Sequence, residues 1–84
     1  DSLGWARYVT GDVAGAVPVL ERAAAGAPGD ATINEHLGDA LWSAGRRYEA
    51  RYAWAAASLF AQGDGAARIA AKVEQGYKPE YAAP

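Results

Sequence analysis

Glu35, His36 and Asp39 stand close together in a stretch with helical spacing, and carboxylates beside an imidazole are the raw material of acid–base chemistry. That chemistry needs a companion. Ser2, Thr10, Thr32, Ser43 and Ser58 are the hydroxyl side chains, and none sits in a nucleophile motif. Glycosidase acids flank a scissile bond from two sides, whereas Glu35 and Asp39 lie one helical turn apart on one face. The pair therefore reads as a solvated or groove-lining pair. His36 is the only histidine and cysteine is absent, so no second soft ligand is available for a metal. It reads as a solvated or packed side chain. Arg46, Arg47 and Arg51 cluster where cations oppose a helix dipole, which fits solvation plus a contact to Glu49, Glu35 or Asp39, or an anionic partner segment. Gly63-Asp64-Gly65 follows a helix and lacks the strand that a phosphate loop requires. The expectation is no enzyme, no catalytic residue, no cofactor and no metal.

The elements that position these residues are helices. No stretch alternates with a strand's period of two, and the spacing predicts five helices over about 2–10, 13–25, 31–44, 47–61 and 65–75. Asp12, Asp30 and Asp64 are the expected N-caps, and Gly11, Gly45 and Gly76 the expected stops. The third helix carries Ile33, Leu37, Ala40, Leu41 and Ala44 on one face, and the fourth carries Ala50, Ala53, Trp54, Ala57 and Phe60. The fifth directs Ile69 and Val73 inward and Arg68, Lys72 and Glu74 outward. Pro18 disturbs the second helix and predicts a kink or a later start. The segment 77–84 contains two prolines and is expected to be extended.

Sliding the chain by 34 positions places Leu3-Gly4 on Leu37-Gly38, Gly11 on Gly45, Ala16 on Ala50, Ala23 on Ala57 and Gly29-Asp30 on Gly63-Asp64. Such an echo is the signature of stacked helix pairs. Together with Leu20, Pro28 and Trp54, these residues resemble the tetratricopeptide repeat (TPR) family, with Leu41 standing where its Tyr is usual, and more loosely the last repeats of bacterial TPR proteins. The resemblance covers residues 1–62, with departures at Arg7, Asn34 and Gln62. It implies an all-α solenoid of antiparallel helix pairs. Repeat one is 1–29, truncated at its start as though more repeats preceded it. Repeat two is 30–63, and a C-terminal capping helix covers 64–76. Gly4 and Gly38 are expected to let one helix approach the next. Trp54 and Leu20 would fill the wider gaps, and larger residues at Ala50 or Ala57 would overpack them.

In such a fold the first helix of each pair lines a concave face, and helical spacing sets Trp5, Tyr8, Glu35, Asp39 and Trp42 there, joined by Ile69, Val73 and Tyr77. The resemblance implies a protein–protein interaction scaffold whose groove, aromatic and acidic, takes a peptide with basic and apolar side chains. The family's carboxylate clamp is not expected, because its positions read Asp1, Trp5, His36, Ala66 and Ala70. The other reading of Trp5 and Trp42 is that they shield a seam between helices. The rival function is self-association, with Leu3, Val9 and Trp5 forming an apolar patch that a homodimer would cover.

Composition sets the remaining bounds. With 84 residues and no disulfide, this is one small domain that buries about 60% of its unfolded surface. The net charge of −2 disfavours nucleic acid as a partner. No apolar run reaches the roughly 20 residues of a membrane span, and no secretory leader is expected. Both the periplasm and the cytoplasm remain open as locations.

Overall fold

The computed structural model describes residues 2–83. Asp1, one of the clamp positions, lies outside them. The chain is all-α: α1 Ser2–Val9, α2 Val13–Gly26, α3 Ala31–Ser43, α4 Arg47–Ser58 and α5 Gly63–Gln75, followed by a single 3₁₀ turn at Pro79–Tyr81. Each helix packs chiefly on its neighbours in sequence.

The 34-residue echo has a local structural cause. Gly11 and Gly45 both adopt positive φ, +92° and +82°, where only glycine is unstrained. In each case the next amide reaches back across the turn: Asp12 N–H donates to the Arg7 carbonyl at 2.8 Å, and Arg46 N–H to that of Leu41 at 2.9 Å. This is the same helix-ending bond at the same repeat position. The following helices start differently. Asp12 Oδ1 accepts from the Gly15 amide and Asp30 Oδ1 from that of Ile33, each at 3.0 Å, satisfying an amide that the first turn leaves unpaired. Asp64 is not a cap. It lies in the first turn of α5, where its charge still favours the helix dipole, and Gln62 takes the cap position without a side-chain bond.

Small residues set the packing distances. A Cβ on Gly4 would come within 2.8 Å of Leu20, and one on Gly38 would overlap the Trp54 indole. The core is built from Ala16, Val17, Leu20, Ala40, Leu41, Ala50, Ala53, Trp54, Ala57 and Ile69. Alanines at the crossings let Trp54 lie fully buried between α3, α4 and α5.

Four expectations need correction. Pro18 neither starts nor divides α2, which is one helix from Val13 to Gly26. Pro18 and Ala14, whose carbonyl loses its intrahelical partner, both lie on the exposed face. Phe60 and Ala44 are exposed, because α4 ends at Ser58 and α3 at Ser43 and both residues fall in turns. Segment 77–83 is not simply extended, since Pro79 opens the 3₁₀ turn, and Pro84 lies outside the described residues. Lys72, assigned to the outer face of α5, is fully buried.

Gly38→Ala tests the close crossing. Its gain in helix propensity is at most about 1 kcal/mol. Forcing Trp54 to move costs about 1–3 kcal/mol. Urea unfolding is therefore expected to show a lower midpoint, and an unchanged or higher one would mean that Trp54 does not lie on Gly38.

Candidate functional site

The face shared by α1, α3 and α5 holds two arrangements side by side: a buried ion cluster and an aromatic cleft. The cluster begins with Glu35 and Asp39, which helical spacing places on the same side of α3. They are 2% and 1% exposed. Lys72 of α5 is 0% exposed and donates to Glu35 Oε2 at 2.7 Å, Asp39 Oδ1 at 2.8 Å and Asp39 Oδ2 at 3.1 Å. Arg68, one turn earlier on α5, grips Glu35 with Nε and Nη2, both at 2.7 Å. Trp54 Nε1 donates to Asp39 Oδ1 at 3.0 Å. Among the described residues, no buried side-chain nitrogen or oxygen lacks a hydrogen-bond partner.

The two carboxyls respond differently to the same burial. Burial alone would raise Glu35, but the hydrogen bonds and charges of Arg68 and Lys72 outweigh it and hold the carboxyl below its ordinary range. Burial raises Asp39 and prevails, because Asp39 has only Lys72 as a cationic partner and feels the neighbouring Glu35 charge. His36 is also buried, and burial lowers its proton affinity against the opposing pull of Asp39 and Glu35. Its ring lies flat on Trp5, with ring centres 3.7 Å apart and planes 10° from parallel.

The expected groove-lining acids are thus in place on α3, but they are closed over by α5. Their charges are matched one for one by Lys72 and Arg68, so the face is not acidic towards an incoming peptide. A partner chosen for basic side chains loses its rationale here. Trp5 and Tyr8 do come together: their rings stack at 4.9 Å, and Trp5 is half-buried rather than part of an exposed patch with Leu3 and Val9. With Val9, Val13, Ser43 and Tyr77 they line a cleft of about 400 Å³, at whose floor Asp39 lies. Trp42 is held on its own side of α3. Arg47 and Arg51 stack on its ring at 4.5 and 5.3 Å, and Trp54 lies against it at 5.5 Å. The arginine cluster therefore finds neither Glu35 nor Asp39. Arg46 instead pairs with Glu49 at 2.6 Å and Glu21 at 3.6 Å.

Sequence reasoning missed Lys72 and Arg68. The signal was present as an acidic pair at 35 and 39 and a basic pair at 68 and 72, with equal spacing on helices of the same layer. Lys72 also sits only about 60° from Ile69 around the helix, at the edge of the apolar face.

Among the described residues, no group of three His, Cys, Asp or Glu side chains is arranged to hold a metal ion. No helix among them is long and apolar enough to cross a membrane. Comparison with protein-family models, curated proteins and solved structures finds no match.

Replacing one member of a buried ion cluster strands the others. Lys72→Met is expected to lower the unfolding free energy by about 3–5 kcal/mol. Adding Glu35→Gln and Asp39→Asn, which keep acceptors for Arg68 and Trp54, is expected to recover most of that loss in denaturant titrations. A loss for Lys72→Met below about 1 kcal/mol would be that of an exposed ion pair and would contradict the burial.

Proposed function

We propose that this chain is a TPR-like protein-interaction module that takes a peptide segment of a partner against the α1/α3 face. The cleft lined by Trp5, Tyr8, Val9 and Val13 carries this reading. Large, half-buried aromatics with polar tips are the side chains that binding surfaces favour. The neighbouring ion cluster supports the reading in a second way. Because Glu35, Asp39, Arg68 and Lys72 satisfy one another, the partner recognised at the cleft is apolar and aromatic rather than charged.

Selection from a displayed library of short random peptides tests this directly. Enriched sequences are expected to be rich in aromatic and small apolar residues. Tyr8→Ala is expected to weaken their binding about tenfold or more while leaving helix content unchanged by circular dichroism. Enrichment of strongly basic sequences, or binding indifferent to Tyr8→Ala, would contradict the proposal.

A second reading, self-association, is favoured by a separate surface. On the outer side of α4, Tyr48, Tyr52 and Leu59 are 86%, 75% and 77% exposed at helical spacing, with Ala55 and Ala56 between them. Beside them an open cleft of about 290 Å³ has Leu37 and Leu41 at its floor. If a second copy covers this stripe, light scattering will show a dimer that Tyr52→Glu dissociates. A monomer at high concentration would remove this reading.

A further inference from the structure

One wall of the cleft is supplied by the chain that follows α5. At the end of α5, Gly76 adopts φ +80°, and its Cα lies so close to the Trp42 ring that a Cβ there would overlap it. The chain turns at this point and returns towards the face shared by α1 and α3. Tyr77 packs against the core, its ring 5.7 Å from the Lys72 ammonium. After the 3₁₀ turn, Ala82 and Ala83 line the same cleft as Trp5 and Tyr8.

We propose that segment 77–83 is a built-in competitor for the cleft, and that the partner is an extended segment of similar chemistry, aromatic and small at its contact positions, which displaces it. This rests on the peptide-binding reading given above. Two features support it. Tyr77, Ala82 and Ala83, the residues at the cleft, are uncharged, whereas Lys78 and Glu80 are exposed, as a face with internally neutralised charges requires. The segment is also lightly held. Beyond Tyr77, its side-chain bonds among the described residues are two exposed ones to a single acceptor, Gln75 Oε1, from Lys78 Nζ at 3.0 Å and Tyr81 Oη at 3.2 Å. An occupant tethered to the groove lowers a partner's apparent affinity by the fraction of time it leaves the groove free. Releasing it raises affinity without altering Trp5, Tyr8, Val9 or Val13.

The test uses the full chain and the probe acetyl-Tyr-Lys-Pro-Glu-Tyr-Ala-Ala-amide, with the Trp5 and Tyr8 signals followed by NMR during titration. Two variants loosen the segment: Tyr77→Ser, and Gln75→Ala combined with Pro79→Gly, which alters only exposed positions and leaves the core intact. Both are expected to bind the probe about tenfold more tightly than the unaltered chain. Equal affinity in all three would overturn the competition and leave the peptide groove standing. If none binds the probe while library-selected peptides still bind, the assigned occupant chemistry is wrong and this proposal falls alone. If neither kind of peptide binds, the groove reading falls with it.

Discussion

The Lys72 ammonium lies between the Glu35 and Asp39 carboxylates with no contact to water, and it joins α5 to α3. Burying three charges is unfavourable unless each finds its complement, and a partner removed is worse than a partner never present. The geometry meets that condition closely. The lysine has three protons to donate and finds carboxylate oxygens at 2.7, 2.8 and 3.1 Å. The Trp54 indole takes a further place on Asp39, and Arg68 holds Glu35 from the half-exposed side. Any slide of α5 along α3 would separate these groups. Apolar packing through Ile69 alone has no such directional requirement, so the cluster acts as a register pin.

From that pin the two faces of the molecule follow. Trp54 joins the cluster through its N–H while its ring fills the space over Gly38, tying the ion cluster to the apolar core. Gly76, fixed at the end of α5, directs the chain back over Trp42, which delivers Tyr77 to the cleft. On the far side of the core, the outer side of α4 and its C-terminal turn leave Tyr48, Tyr52 and Leu59 exposed. The cleft is therefore walled on one side by the segment after α5, and the outer face of α4 is exposed.

The features legible in the sequence are those set by short-range rules. Gly11 and Gly45 mark helix ends because positive φ excludes other residues, and Asp12 and Asp30 mark starts because their carboxylates cap amides three residues on. The apolar period placed Leu41 and Trp54 in the core, where they lie. Lys72 was misplaced because hydropathy assigns lysine to water, and only the distant pair on α3 reverses that preference. The same limit applied at the site. Glu35 and Asp39 share a face of α3 as their spacing requires, but that a helix more than thirty residues later would cover them is a tertiary fact. Trp42 was drawn away from the cleft by Arg47, Arg51 and Gly76, three contacts with no periodic signature.

The central claim is that a charged lysine is sealed between two carboxylates and fixes α5. Heteronuclear NMR of lysine side-chain ammonium groups at neutral pH observes it most directly, because ammonium protons in contact with water exchange too fast to be seen. One protected resonance is predicted, assigned by its loss in Lys72→Met and shifted by Asp39→Asn. A spectrum in which no lysine ammonium is protected, from a chain that retains its full helix content, would contradict the account.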